Sequence, residues 1–112
     1  MITKDLLDFL NKDTDLDAPA YVEVPTALTD FVLLDQTGTS TANHITTTTI
    51  AVQSYGATLW DAMQLNEKVK AAMRRFARLD NVARVELETD YNFTNTETKQ
   101  YRWQAVFQIT HY

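Results

Sequence analysis

Few side chains in this sequence could support nucleophilic or acid–base catalysis. His44 and His111 are the only imidazole groups among its 112 residues, and no G-x-S-x-G motif supplies a serine for either to activate. A metal site would need further ligands at spacings such as H-x-x-x-H or H-E-x-x-H, which do not occur. We therefore interpret each histidine as a surface or strand-end residue.

Acidic residues form a pattern that resembles the start of a calcium-binding loop. Asp13, Asp15 and Asp17 have the right spacing, but position six is Ala18 rather than glycine and position twelve is Val24 rather than a bidentate glutamate. A second acidic row consists of Glu86, Glu88 and Asp90. On one face of a strand, such a row is more typical of a solvated or interface-facing surface than of an acid–base pair.

Phosphate-binding loops and thiol chemistry are not expected either. Neither G-x-x-x-x-G-K-[ST] nor G-x-G-x-x-G occurs in the chain. The sequence contains no cysteine, which excludes disulfides and fits folding in a reducing cytosol. We predict that the protein is not an enzyme and uses no cofactor and no metal.

Charge is unevenly distributed along the chain, whose net charge is -5. Residues 1–35 carry eight acidic and two basic side chains, for -6, whereas residues 67–80 carry five basic and two acidic ones, for +3. Separated patches of opposite sign allow one copy to meet another head to side, as in a ring or filament. A solvated acidic surface together with a helix end that offsets its own dipole explains the same pattern equally simply.

The basic cluster does not favour nucleic-acid binding. Its members are Lys68, Lys70, Arg74, Arg75 and Arg78. The whole chain is acidic, with a pI near 4.8, and it carries no nucleic-acid reading motif. We predict no sequence-specific nucleic-acid partner.

Composition and length predict one compact domain spanning residues 1–112. The chain is 45% hydrophobic and 22% charged, which is ordinary for a globular protein and excludes a disordered one. Two glycines and two prolines indicate regular elements with short connections. No apolar run is long enough to span a membrane, and we expect no membrane partner and no N-terminal signal.

Residues 58–79 give the clearest secondary-structure prediction, a long amphipathic helix. Apolar residues recur there at steps of three and four, and Thr58 followed by Asp61 resembles a capping box after the turn at Gly56. Trp60 falls on the polar side, in a stripe with Gln64, Glu67, Ala71, Arg74 and Arg78. Either another part of the chain or another molecule covers Trp60. A short helix over residues 3–12, capped by Thr3, is also predicted.

The remaining segments predict strands. Short strands are expected at 21–24 and 31–35, then a mobile polar loop over 36–43, then a strand at 44–54. The apolar phase of that strand is mixed, which indicates either a bulge or a strand covered on both faces. Alternation over 85–93 and 101–111, around a polar turn at 94–98, predicts an antiparallel hairpin. The order α-β-β-β-α-β-β defines a two-layer α+β sandwich, with a mostly antiparallel sheet of four to five strands, a long helix and a short N-terminal one.

Two segments, residues 50–79 and 86–112, resemble the small tail terminator or minor capsid proteins of long-tailed phages and prophages. The similar features are a strand ending in Val-Gln-Ser-Tyr at 52–55, a long helix of the L-x-x-A-x-x-L type, Asp-Tyr-Asn-Phe at 90–93, and Tyr-Arg-Trp-Gln at 101–104. They cover about half of the chain and are packing patterns rather than a catalytic signature.

The resemblance implies a structural virion protein, assembled in the host cytoplasm and located at the neck. Its copies would form a ring, usually of six, that caps the tail tube, ends tube polymerisation and joins the tail to the head connector. Its partners would be itself, the tail tube protein and the connector or adaptor protein, with non-specific proximity to DNA in the channel. A head-completion or adaptor protein on the portal, or a small-ligand-binding α+β domain, are the alternatives.

Roles can be placed on particular residues as hypotheses. The candidate subunit interface consists of Trp60, Gln64, Glu67, Arg74, Arg75 and Arg78. The candidate loop for docking to the tube or connector consists of Gln36, Thr37, Gly38, Thr39, Ser40, Thr41 and Asn43. The candidate rim turn consists of Asn95, Thr96, Glu97 and Thr98. Ordinary hairpin connections and local ion pairs are the alternatives for these segments.

Overall fold

A computed structural model describes residues 1–26 and 30–112. In these residues the chain forms two helices and a five-stranded sheet: α1 (Ile2–Lys12), β1 (Ala20–Tyr21), β2 (Phe31–Ala42), β3 (Ile45–Gly56), α2 (Leu59–Phe76), β4 (Val82–Asn92) and β5 (Tyr101–His111). The strands lie in the order β1-β2-β3-β5-β4, with β1 parallel to β2 and all other neighbours antiparallel. The predicted α+β class and the order of elements are confirmed.

Helix α2 begins as its sequence predicts. Thr58 is the N-cap, and its side-chain oxygen accepts a hydrogen bond from the backbone N–H of Asp61 at 3.1 Å. Gly56 is needed for space, because a Cβ there would stand 2.6 Å from the backbone nitrogen of Ala62. Its backbone has no positive φ, so close approach of the helix start explains this glycine.

The core lies between the helices and one face of the sheet. Helix α2 packs mainly on β3 and β5, whereas α1 packs beside β1 and β2. The ring of Phe76, at the end of α2, is fully buried and meets Phe9 of α1 with centroids 5.3 Å apart. Thr3 does not cap α1 as we expected. It lies inside the helix, and its hydroxyl bonds the side chain of Gln36.

The segment 36–43 was predicted as a mobile loop, and that prediction is wrong. Gln36 to Ala42 belong to β2, which pairs with β3 up to Ala42 and Ile45. A two-residue turn at Asn43 and His44, with φ of 53° and 65°, closes the hairpin. Threonine is β-branched and favours strands, and this preference outweighs the loop character of the glycine and serine.

The first predicted strand is shorter than expected. β1 contains only Ala20 and Tyr21, which pair with Val32 and Leu33, instead of residues 21–24. The side chain of Asn11 bonds the backbone N–H and carbonyl of Ala20, at 2.8 and 3.1 Å. After Tyr21 the chain bends away from the sheet toward Pro25, which cannot donate to a strand ladder.

The mixed apolar pattern of β3 arises because the strand is covered on both faces, and not from a bulge in β3. β3 is the central strand, and residues 50–55 are buried on both faces of the sheet. Its register with β5 runs without a shift from Thr46 to Gly56. The irregularity lies in β2, the other neighbour of β3, between Gln36 and Gly38.

The alternation of β4 is interrupted by a bulge, which corrects our assignment of its two faces. The register shifts between Leu87 and Thr89, so that Asp90 pairs with buried Ala105 and shares the helix side of the sheet with Leu87. Glu86, Glu88 and Asp90 therefore do not form one row. The bulge moves Tyr91 to the opposite face.

Candidate functional site

The helical layer leaves the outermost strand of the sheet largely uncovered. Helix α2 lies over β3 and β5 and only borders β4. On the helix side of β4, Val85 is therefore half-buried and Leu87 is 44% exposed. We call this border, from Trp60 to Leu87, the α2–β4 seam. Its members are Trp60, Met63, Gln64, Asn66, Glu67, Lys70, Met73, Arg74, Ala77, Val85, Leu87, Asp90, Trp103 and Phe107.

Two adjacent cavities with apolar walls lie along the seam. The one near the start of α2 holds about 190 Å³ and has Trp60, Met63 and Trp103 as its large apolar walls. The one near the end of α2 holds about 200 Å³ and is walled by Met73, Leu87 and other apolar groups. These grouped apolar side chains make the seam a candidate surface for contact with another molecule.

An ion cluster joins the two cavities. Lys70 Nζ lies 3.0 Å from Asp90 Oδ2 and 3.0 Å from Glu67 Oε1, and Asn66 Nδ2 donates to Asp90 Oδ2 at 2.9 Å. The hydrogen bond from Lys70 lowers the pKa of Asp90, and those from Asn66 and Trp103 act in the same direction. Hydrogen bonds to Glu67 and then Asp90 raise the pKa of Lys70. Both shifts favour the charged forms of Asp90 and Lys70.

Trp60 is exposed on the surface of the single chain. Trp60 is 64% exposed, so of the two explanations for its position, cover by another part of the chain is contradicted for residues 1–26 and 30–112. Gln64 and Glu67 line the same cavity as Trp60, and Arg74 lines the neighbouring one. The structure thus brings four of the six predicted interface residues to one surface.

The other two arginines of the predicted interface differ from each other. Arg78 is exposed and forms no ion pair with any residue in 1–26 or 30–112, and the same holds for Arg74. Arg75 pairs with Asp13 of its own chain at 2.6 Å. Arg75 is therefore part of the fold, because its guanidinium holds the start of the α1–β1 connection against α2.

Sequence reasoning missed the contribution of β4 and β5 to this surface. Leu87 and Trp103 were assigned to a half-buried hairpin, and Met63 was assigned to the buried side of α2. The alternation of Leu87 was visible, but its exposure depends on how far α2 extends across the sheet. No local pattern in the sequence encodes that distance.

The candidate rim turn is ordered by its own side chains. Asn95 Oδ1 accepts hydrogen bonds from the backbone N–H groups of Glu97, at 3.1 Å, and Thr98, at 3.4 Å. Asn95 also forms an isolated bridge with Gln100. An open depression of about 450 Å³ separates this turn from Gly56 and Ala57.

The sheet face opposite the helices carries a connected polar and aromatic network. Tyr55 Oη donates to Gln53 Oε1 at 3.0 Å, Gln53 Nε2 donates to Gln104 Oε1 at 2.8 Å, and Gln104 donates to the hydroxyl of Tyr91. Arg102 lies over the ring of Phe93 at 4.5 Å. Gln53 and Gln104 are buried although no helix covers them. Satisfied networks of this kind rigidify the strands they connect.

Both histidines lie at the same end of the sheet, where His111 pairs with Thr46, two residues after His44. His111 Nε2 lies 2.9 Å from the hydroxyl of Thr48 at one end of the sheet, and His44 lies in the β2–β3 turn. Among the described residues, no group of three or more His, Cys, Asp or Glu side chains could hold a metal ion, and Asp13 bonds Arg75 instead. Neither helix in the described ranges is long and apolar enough to cross a membrane.

No protein-family model and no curated protein matches this chain. The similarity to tail terminator proteins therefore stays a prediction from residues 50–79 and 86–112.

Proposed function

We propose that the protein is a structural subunit of a virion neck. Its copies form a ring, usually of six, that caps the tail tube, stops tube polymerisation and joins the tail to the head connector. The sequence resemblance motivates this proposal. The α2–β4 seam supports it best, since it combines the exposed Trp60 with Arg74, which has no ion-pair partner in residues 1–26 and 30–112, and exposed Trp and Arg are typical of protein-binding surfaces.

Ring formation requires two unlike surfaces on each subunit. A contact between such surfaces repeats around an axis and closes if the rotation permits. The seam lies at the β4 edge of the sheet, and the acidic N-terminal residues 1–35 include α1, β1 and the start of β2, at the other edge. The seam and the β1 edge therefore lie on opposite sides of one subunit, as a head-to-tail contact needs, although Arg75 and Asp13 join the basic and acidic regions within the subunit.

The ends of the sheet supply the surfaces for the tube and the connector in this proposal. The β2–β3 turn at Asn43 and His44 lies at one end, and Asn95 to Thr98 lie at the other, beyond β4 and β5. Docking at these turns differs from our sequence-based hypothesis in one respect. Residues 36–42 are already ordered as a strand, so docking at this end does not require a loop to fold.

An assay with polymerising tail tubes tests the proposal. The protein is added to tail tube protein from the same genetic neighbourhood, and tube lengths are measured by electron microscopy. We expect shorter tubes that are capped at one end. We also expect the capped tubes to attach to heads. Tubes of unchanged length, with unchanged head attachment, would show that the protein is not a terminator.

A matched pair of variants sharpens that assay. Trp60→Ala removes an exposed aromatic from the seam, and Tyr112→Ala removes one from the end of the chain, where the residue is 74% exposed. We expect only the first variant to lose capping. Binding to an isolated portal instead of the tube would favour the head-completion alternative.

A further inference from the structure

We infer that the α2–β4 seam of one copy binds the segment Val22 to Val24 of a second copy. This inference rests on the proposed ring, because it names the surface that the seam meets there. Val22 and Val24 are 53% and 54% exposed, and the exposed Glu23 lies between them. They are thus two aliphatic groups and one carboxylate presented at the surface.

The seam and this segment lie at opposite edges of the subunit. The segment follows β1, the first strand in the sheet order, and the seam borders β4, the last strand. The sheet separates them, with β2, β3 and β5 between the two edges. A contact between them therefore joins two copies head to tail, and the same contact can repeat in a ring.

The seam can accept the apolar side chains of this segment. Each seam cavity, of about 190 and about 200 Å³, exceeds the ~150 Å³ that accommodates a benzene molecule in an engineered protein cavity. Each has room for the isopropyl group of a valine. Burial there would also cover the exposed Trp60 and Leu87, which the single chain leaves in water.

The charges match as well. Arg74 lines the seam, Arg78 lies four residues further on in the turn after α2, and neither has an ion-pair partner within residues 1–26 and 30–112. Glu23 would supply a carboxylate to them, and it likewise lacks a cationic partner in those residues. Complementary charge at a contact fixes its register and speeds association.

Pairing of sheet edges between copies is a less suitable contact. β4 shifts register between Val82 and Arg84 and again between Leu87 and Thr89. Such irregularities bend an edge strand and prevent another strand from pairing along it. Side-chain docking on the helix side of β4 avoids this obstacle.

Cysteine cross-linking tests the contact, since the natural chain contains no cysteine. The double variant Val24→Cys/Leu87→Cys places one thiol on each proposed surface, at positions that are about half exposed. Under mild oxidation at high concentration, with tail-tube ends present, we expect a ladder of covalent oligomers on non-reducing gels. Each single variant can form only a covalent dimer.

The matched control is Val24→Cys/Thr89→Cys, which moves the second thiol to the opposite face of β4 at a position that is likewise exposed. We expect the seam pair to cross-link about tenfold faster or more, because contact raises the local thiol concentration. Equal rates for both pairs, or no ladder, would overturn the inference. Circular dichroism of each variant checks that the fold is retained.

The tail-tube assay separates this inference from the proposed function. A ladder from a protein that does not cap tubes supports the contact and rejects the terminator function. Capping by wild-type protein together with equal cross-linking of both pairs supports the function and rejects this contact.

Discussion

Arg75 donates two hydrogen bonds to a single carboxylate oxygen of Asp13, from Nε at 3.0 Å and from Nη2 at 2.6 Å. Asp13 is the C-cap of α1, and Arg75 lies in the last turn of α2. The pair therefore ties the ends of the two helices together. It also divides the basic cluster: Arg75 stabilises the fold, whereas Arg74 and Arg78 remain available to another molecule.

The first prediction concerns the stability that this pair provides. Asp13→Asn removes the charge from a carboxylate whose side chain is 8% exposed and weakens its contact with the guanidinium of Arg75, whose side chain is 34% exposed. We expect the free energy of unfolding to fall by about 1–3 kcal/mol, the range for hydrogen bonds to charged groups. Urea denaturation followed by circular dichroism measures it.

The exposed neighbour Asp15 provides the control. Asp15→Asn changes the same formal charge two residues away, and we expect a change within about 0.5 kcal/mol. Equal destabilisation by both substitutions would mean that net charge, rather than the contact with Arg75, determines the effect.

The second prediction follows from the titration of Asp13. Burial raises the pKa of this carboxyl group, but hydrogen bonds from Arg75 and from the Asp15 backbone outweigh burial and hold the pKa below its ordinary value of 3.8. A carboxyl group with a lowered pKa in the folded state stabilises the protein fully above its unfolded pKa. The contribution is lost as the pH falls through the folded pKa.

Acid unfolding of wild type and Asp13→Asn checks this sign. The difference between their free energies of unfolding should be constant at neutral pH and should shrink once the pH falls below the ordinary value of 3.8. A difference that grows on acidification would contradict the assignment.

The third prediction compares the two glycines. A Cβ at Gly56 would lie 2.6 Å from the nitrogen of Ala62 and 2.9 Å from Cβ of Asp61, whereas one at Gly38 would meet nothing within 4 Å. We expect Gly56→Ala to cost about 1–3 kcal/mol, because the start of α2 must shift. Gly38→Ala should be neutral or stabilising by up to about 1 kcal/mol, since glycine weakens a strand.

Thermal unfolding of both alanine variants gives the comparison directly. A larger loss for Gly38→Ala would show that its bulge, rather than the helix start, depends on glycine.

Elements with a strong apolar period could be predicted from sequence, and elements decided by pairing could not. The period of α2 and the alternation of β5 survive in the structure, because one face of each packs on the core. Residues 36–42 have no apolar period, since that half of β2 is exposed. Pairing with β3, together with the strand preference of their threonines, makes them a strand.

Some residues of the candidate site could likewise be predicted from the sequence, and others could not. Trp60 could be found, because a helical period places it away from the apolar stripe. Asp90 could not be placed, since a bulge changes which side chains share a face, and the exposure of Leu87 depends on how far α2 extends across the sheet. Arg75 looked equivalent to Arg74 in sequence, and only the position of Asp13 in space distinguishes them.

The final prediction separates the surface role of Trp60 from the core. Trp60→Ala should change the free energy of unfolding of the single chain by no more than about 0.5 kcal/mol, because the residue is 64% exposed and alanine favours a helix. The same substitution should abolish assembly on tube ends, since an exposed tryptophan of this kind dominates interface energetics. Urea denaturation and electron microscopy of capped tubes measure the two effects.

Phe76→Ala, in the same helix, should have the opposite effects: it should reduce stability and leave capping intact. Its ring is fully buried against Phe9, so we expect a loss of about 3–5 kcal/mol in the free energy of unfolding. At temperatures where this variant is still folded, its seam is unaltered and capping should persist. If Trp60→Ala capped tubes at the wild-type level, Trp60 would not belong to the interface, because no neighbouring group among the described residues replaces the missing indole.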